Sequence, residues 1–520
     1  MKKSLAFHSI IIAFIAFAQP LFAQLTSIEI DSLVVKAMRK FDVVGTAVAI
    51  VKDGKIIYEK GFGIQSIETQ KPVKVNTNFA IGSNSKAFTC AAIMMLVEDG
   101  KLKLTDKVKD HIPEFKMYNE YVTEHFIIED LLTHRSGLGL GTGDLMLFPE
   151  GSDFKMHDLL TNFQYFKPVS EFRTKFDYDN ILYMVAGEVI ARASGMSYEK
   201  FIQKRIFDAL SMDGSAPALL TIKDKVNLAD PHSTTSGKLK KIERYGDMLN
   251  GAAGGIYSNV HDMSSWMIMH MNNGMYADKL SKQLFSAESH DEMWKIHTSE
   301  PAGSRFYKTH FDGYGLGWGL KDLDGNFSVS HTGGIPGMLS IVTMLPDMQL
   351  GITILTNTEA GGAGVFSAVS QTIIDSYIGK KDNNWVDKYF NYFSSNQNDG
   401  NDSVKKVWET VKNADKNAFK KEDYIGKYKD DWFGEIEISD KNGQLWFRSI
   451  RSPRLSGPMS FYKANSFAIK WEFPDMDCDA FAMFSLDEEG KATGFKMKGI
   501  SPNIDFSYDF QDLEFKRIEK

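Results

Sequence analysis

The chain has 520 residues, 43% of them hydrophobic and 24% charged, with a formal net charge of −7. That length exceeds one ordinary domain, so two or three are expected, each able to bury a core. The negative charge, without a dominant basic block, gives nucleic-acid binding no electrostatic footprint, and two cysteines alone, Cys90 and Cys478, exclude a disulfide framework.

Residues 1–23 read as a secretory leader. Lys2 and Lys3 form its charged end, Leu5 to Phe17 its apolar stretch, and Ala18 and Ala23 supply small residues, with cleavage after Ala23. The apolar stretch is short for a membrane span of about 20 residues. The mature chain is therefore expected to be secreted or periplasmic and to carry no transmembrane segment. Thr46 to Ile50 and Lys55 to Glu59 flank Asp53-Gly54, a strong hairpin signal. Then comes Ala80-Ile81-Gly82-Ser83-Asn84-Ser85-Lys86-Ala87-Phe88-Thr89. It opens into an apolar helical run, Ser85 to Glu98, which stops at Gly100.

From Val108 to Met271 the signals are mainly helical. Leu131 to Gly137 reads as a helix end, and glycines 137, 139, 141 and 143 lack the strand-loop-helix setting of a nucleotide cradle, so they read as a flexible loop. Phe176-Asp177-Tyr178-Asp179-Asn180 precedes a helix over Ile181 to Ala193. Gly251 to Gly255 is a small-residue turn ahead of a helix near Asp262 to His270. Strands return after Tyr314, over Phe327 to His331, Leu339 to Leu345 and Leu350 to Leu355, followed by a helix over Val365 to Tyr377. The layout over 24–379 is α+β: an antiparallel sheet flanked by helices, with a large helical insertion, the first hairpin joining the later strands. Residues 380–418 have linker composition, with some helix around Val404 to Val411. From 419 to 520 the pattern is short strands, including a hairpin at Asn442-Gly443 and another turn at Glu489-Gly490, which suggests a small antiparallel barrel or sandwich.

Three motifs carry chemistry. Ser83-x-x-Lys86 places the two side chains on one helix face, about 5–6 Å apart at Cβ. A serine hydroxyl becomes a nucleophile when a neighbour takes its proton, and a buried lysine can do so through its neutral form. The spacing alone says little, because it recurs at Ser152/Lys155, Ser197/Lys200, Ser403/Lys406 and Ser460/Lys463. Tyr178-x-Asn180 adds a phenol able to pass a proton, which a nearby cation would bias toward phenolate, and an amide able to donate and accept. Tyr389-x-Asn391 repeats this spacing in the linker. His331-Thr332-Gly333-Gly334 contains the only His-x-Gly and ends in glycines, where backbone amides can approach a ligand. Cys90 reads as a small buried hydrophobe. No cofactor is indicated: the twelve histidines show no metal-ligand spacing, and no Gly-x-Ser-x-Gly elbow surrounds a serine.

In this order the motifs resemble the penicillin-recognising serine hydrolases: class C β-lactamases, D-alanyl-D-alanine carboxypeptidases, D-aminopeptidases and related esterases. The resemblance runs from about residue 28 to 378, and that of 419–520 is to a lipocalin-like barrel module. It implies that Ser83 forms an acyl-enzyme, that Lys86 and Tyr178 share the proton work, and that the backbone amides of Ser83 and Gly334 form an oxyanion hole. It implies substrate contacts from Asn180, His331, Thr332 and Gly333. The expected substrate is a small molecule or peptide: a peptide with D-residues, a small ester or amide, or a β-lactam. A non-catalytic penicillin-binding sensor is the remaining alternative. Class C β-lactamases carry lysine where this chain has His331, and histidine there resembles the D-amino-acid peptidases. The C-terminal module is expected to act as a structural cap, the alternative being that it helps close the cleft.

Overall fold

Turn chemistry starts the first sheet. Asp53 and Gly54 both take positive φ, 50° and 71°, the geometry of a two-residue hairpin turn matched to strand twist. They join β1 (Gly45–Lys52) to β2 (Lys55–Gly63). The computed structural model describes residues 24–518 except 235, 236, 247, 248, 250, 304, 305, 382, 416, 417 and 477. The expected leader lies outside the described residues.

After the helical insertion the chain returns as β3 (Thr298–Glu300), β4 (Asp312–Tyr314), β5 (Gly319–Leu323), β6 (Asn326–Ile335), β7 (Met338–Leu345) and β8 (Leu350–Thr356). These strands and the first hairpin form one sheet in the order β2-β1-β8-β7-β6-β5-β4-β3, antiparallel throughout. Alternate residues of a strand face opposite sides, and β1 uses both. Val48 and Ile50 join a core with the helices α1 (Ser27–Lys40) and α5 (Glu359–Ile378). Ala47, Ala49 and Val51 join the larger core with α2 (Ser85–Glu98), α3 (Asn180–Ser194) and α4 (Val260–Met271). Helix α2 is buried on every face from Ser85 to Leu96, which explains its nearly uninterrupted apolar sequence.

The segment expected as a linker is instead mostly one helix, α6 (Trp385–Asn413). Trp385, Tyr389 and Phe393 recur every four residues and stack in series, and Trp385 and Tyr389 pack on the core of the first domain. Val404, Val407, Trp408 and Val411 pack on Ala468, Cys478 and Ile500 of the second. A 3.6-residue period joins these sets beneath the polar composition of 396–402. Gly400 lies against the Asn503 side chain, and Asn503 Nδ2 donates to the Asn396 carbonyl at 2.6 Å.

The C-terminal strands β9 (Gly426–Asp430), β10 (Gly434–Lys441), β11 (Gln444–Ser449), β12 (Ser456–Lys463), β13 (Ser466–Ile469), β14 (Ala480–Leu486), β15 (Ala492–Gly499) and β16 (Glu514–Arg517) close into an antiparallel barrel. Eight strands leave an interior that side chains can fill. Rings of Tyr428, Phe447, Phe484, Phe495 and Phe515 fill it, Phe495 stacking on Phe515 at 4.7 Å. Phe495→Ala should cost about 3–5 kcal/mol of barrel stability. The check is urea unfolding followed by tryptophan fluorescence; an unchanged midpoint would show that the ring does not support the barrel.

Candidate active site

Ser83 sits on a 3-10 turn, Gly82–Asn84, that runs into α2. The turn is held from two sides. Phe79 and Ala80 pair with Ser258 and Tyr257, and Ile81 N donates to the Ile256 carbonyl. On the other side β6 comes so close that only glycine fits. Gly82 has φ +52°, a Cβ there would lie 2.5 Å from Gly334 N, and a Cβ on Gly333 would lie 1.9 Å from the Ile81 carbonyl oxygen. The glycines of His331-Thr332-Gly333-Gly334 therefore let the strand press against the Ser83 turn.

Lys86, one turn along α2, is fully buried. Its Nζ lies 3.2 Å from Ser83 Oγ, 2.7 Å from Asn180 Oδ1 and 2.8 Å from the Ala253 carbonyl oxygen. An ammonium has three hydrogens to donate, and here are three acceptors. A neutral amine has two, which Asn180 Oδ1 and Ala253 O still accept, leaving its lone pair toward the Ser83 hydroxyl. Both protonation states are thus satisfied without rearrangement. Burial pulls the lysine down to about 7, while Asp144, Asp179 and Cys90 oppose the shift.

The Tyr178 ring is partly open, but its hydroxyl is enclosed. Lys86 Nζ lies 4.7 Å from the ring centroid. The expectation that a cation would favour phenolate is not met. Burial raises the phenol, as do the carboxylates of Asp144 and Asp179, against a contact with Ser83 that lowers it. His331 Nδ1 lies 2.6 Å from its neighbour's carbonyl oxygen, and Tyr314 Oη lies 3.0 Å from Nε2. That pattern fits the neutral ring, with Nδ1 donating and Nε2 accepting. Burial, then Lys86, lowers it to about 4.

The motifs converge on one cleft of about 550 Å³, which Ser83, Tyr178, Asn180, His331, Thr332 and Gly334 all line. Thr332 and Gly334 alternate outward from β6; Gly333, expected at the substrate, instead faces inward against Ile81. Asn180, also expected there, has its Oδ1 on Lys86 and donates from Nδ2 to Asp144 Oδ2 at 2.7 Å. Cys90 is buried, and its thiol is pushed up to about 12, chiefly by burial.

Three side chains beside Lys86 escaped the sequence reading. Asp144 supports Asn180 from within the glycine-rich stretch. Asp179 caps α3 by accepting from Leu182 N at 3.2 Å, and burial raises it to about 7. His134 Nδ1 accepts from Asp179 N at 3.1 Å, its ring 4.2 Å from that of Tyr178. The barrel domain also reaches the cleft, in keeping with the alternative kept open for it: Asn503, Asp505, Phe506, Ser507 and Tyr508 line it. Phe506 meets the Tyr178 ring edge-on at 5.7 Å. The loop expected to be flexible is where the barrel seats. Gly141 packs under Phe506, and the amides of Gly143 and Leu145 donate to Asp509 at 2.7 and 2.8 Å. Spacing also did not show that Glu129, Glu292 and His297 bring ligand atoms within 4.8 Å of one another. Arg135 Nη2 lies 2.5 Å from Glu129 and already balances that carboxylate.

A serine and a lysine three residues apart thus face strand β6, with a helical insertion beside them. The beta-lactamase family matches residues 30–369, and the chain belongs to it. A family described as a domain of unknown function (DUF3471) matches residues 412–517. Protein flp of Staphylococcus aureus is 24% identical over 335 residues, covering 64% of this chain and 63% of that protein. The chain thus spans under two thirds of that relative's length. Unguisins hydrolase ungD of Aspergillus violaceofuscus is 25% identical over 382 residues, covering 68% and 66%. In fold, the chain is similar to the octameric penicillin-binding protein homologue from Pyrococcus abyssi (21% identity, TM-score 0.60, 94% of this chain and 100% of that one). It is also similar to a penicillin binding protein from Bacillus halodurans (22% identity, TM-score 0.54, 65% and 98%).

The lysine geometry sets a pH dependence. Only neutral Lys86 can accept the Ser83 proton, so labelling of Ser83 by a fluorophosphonate should rise with pH through about 7. His331, held near 4, stays neutral over that range and adds no second step. Rates measured from pH 5 to 9 that stay flat would remove Lys86 as the base.

Proposed function

We propose that the chain is an exported serine hydrolase that forms an acyl-enzyme on Ser83, acting on small esters or amides, peptides with D-residues included. The observation that carries this reading is the Lys86 site: a buried amine with two fixed acceptors and its third bonding direction on Ser83 Oγ at 3.2 Å. In the proposed step Ser83 Oγ attacks the substrate carbonyl as its proton passes to Lys86. The amides of Ser83 and Gly334 receive the developing oxyanion. Tyr178, a neutral phenol over the lysine, passes the proton on to the leaving group. Water then reverses the sequence and frees Ser83. A relative named as a hydrolase of unguisins supports hydrolysis as the reaction type. Export rests on the expected leader.

The charge of the cleft narrows the substrate. Glu359, Asp475 and Asp505 line it, and among the described lining residues there is neither lysine nor arginine. Asp475 is paired with Lys240. With His331 held neutral, a substrate carboxylate meets no lysine, arginine or charged histidine among those lining residues. This favours uncharged esters and amides over β-lactams and carboxy-terminal D-alanine peptides.

The test is a panel of p-nitrophenyl esters, D-amino acid amides, D-alanyl-D-alanine peptides and nitrocefin, with wild type and Ser83→Ala. Turnover of esters or amides should fall at least about 1,000-fold in Ser83→Ala, with nitrocefin slow. Fast nitrocefin turnover would make the protein a β-lactamase. No turnover, with stable penicillin labelling of Ser83, would make it a sensor. Equal labelling of wild type and Ser83→Ala would end the reading.

A further inference from the structure

Asp144 is fully buried on the short turn Asp144–Met146, directly after the glycine-rich stretch. It does not touch Lys86. Its Oδ2 accepts from Asn180 Nδ2 at 2.7 Å, and Asn180 Oδ1 in turn accepts from Lys86 Nζ at 2.7 Å. The carboxylate thus fixes which way the Asn180 amide points, because a flipped amide would set its oxygen against Asp144 and its NH2 against Lys86. The turn carrying Asp144 is not held by its own domain alone. Asp509 accepts from the amides of Gly143 and Leu145, the residues on either side of Asp144, at 2.7 and 2.8 Å. Thr142 Oγ1 donates to Asp512 at 3.0 Å, and Ser507 stands at the Asp144 carboxylate. Asp509, Asp512 and Ser507 all belong to the barrel domain.

We propose that Asp144, braced by Asp509 of the barrel, is the positioning residue that holds Asn180 against Lys86 and keeps the lysine aimed at Ser83. This rests on the reading that Ser83 is acylated with Lys86 as base. The chain of contacts runs from barrel to Asp509, to the 143–145 turn, to Asp144, to Asn180, to Lys86. It makes the second domain part of the catalytic apparatus rather than an appendage. The groups facing the lysine are Asp144 and Asp179 across from it, Cys90 on its own helix, the rings of Tyr178 and Tyr183, and neutral His134 and His331. Around Asp144 stand Asn180, Asp179, Ser507, Lys86 and Asp509. Burial raises Asp144 well above the usual carboxylate range, while Asn180 and Lys86 lower it. Asp144 therefore acts on the lysine through its hydrogen bond to Asn180 rather than through its charge.

The experiment uses the full chain and the best p-nitrophenyl ester, with kcat and KM measured from pH 5 to 9. Asp144→Ala should lose roughly 100-fold in kcat, the scale of a misplaced catalytic group, with KM within about twofold of wild type. Asp144→Asn keeps an acceptor for Asn180 and should recover much of that loss. Asp509→Asn should lose about tenfold in kcat. A kcat in Asp144→Asn as low as in Asp144→Ala would overturn the proposal, as would a loss in Asp144→Ala matched by an equal loss of folded protein in circular dichroism. Wild-type kcat in Asp509→Asn would overturn the brace. Failure of the underlying reading looks different: Ser83→Ala and Lys86→Ala would then retain wild-type turnover.

Discussion

A lysine enclosed by protein is the constraint on which the rest of the site depends. Burying a cation is unfavourable unless its hydrogens are received and its charge is balanced. Lys86 meets the first demand with Ser83, Asn180 and Ala253; Asp144 and Asp179 favour its charge, but burial raises both of those carboxyls and the lysine is drawn down. Each partner comes from a different part of the chain. Lys86 rides on α2 and Ser83 on the turn that enters it, and α2 is buried all round because the sheet and the helical insertion sandwich it. Asn180 opens α3, and Ala253 lies in the small-residue turn that leads to the Tyr257–Ser258 pairing. The insertion and the sheet therefore have to meet at one ammonium, and the fold brings their ends together there.

The two domains are coupled through the same point. Helix α6 packs its first half on the hydrolase core and its second half on the barrel. That fixes where the barrel stands. The segment 503–512 then reaches over the mouth of the cleft, with Phe506 on Tyr178 and Gly141, and Asp509 on the turn beneath. The barrel interior is filled with aromatic rings. Its contribution to the cleft is the loop over 503–508.

What the sequence made legible was local. Asp53-Gly54 and Asn442-Gly443 announce hairpins because positive φ is needed at both turn positions, and the structure has 57° and 86° at the second pair. Helix α2 and its stop at Gly100 follow from an apolar run with a terminator. Ser83, Lys86, Tyr178 and His331 were found through motif order, since spacing alone would equally have chosen Tyr389, which lies in α6 among Trp385 and Phe393. Asp144 was not legible: it stands in a glycine-rich stretch, and the residue that braces its turn lies 366 positions from Gly143. The linker reading failed for another reason. Composition over 396–402 was weighed above the apolar period that runs through it from Trp385 to Val411.

The same electrostatics also divides the proton work. Two groups stand over Ser83, and burial moves them in opposite directions: the amine of Lys86 toward its neutral form, the phenol of Tyr178 away from its charged form. The resting pair is then a lysine drawn toward its neutral form and a neutral tyrosine. A phenolate base would have to be formed against both burial and the nearby carboxylates. Asp144 and Asp179 oppose phenolate while supporting ammonium, so the charge pattern favours a proton arriving at Lys86 and disfavours one leaving Tyr178 early. On the proposed reading this assigns the first transfer, from Ser83, to the lysine. The tyrosine is left to hand a proton to the leaving group once Lys86 is charged. Only then does the new cation beneath its ring offset the carboxylates and allow the phenol to give its proton up.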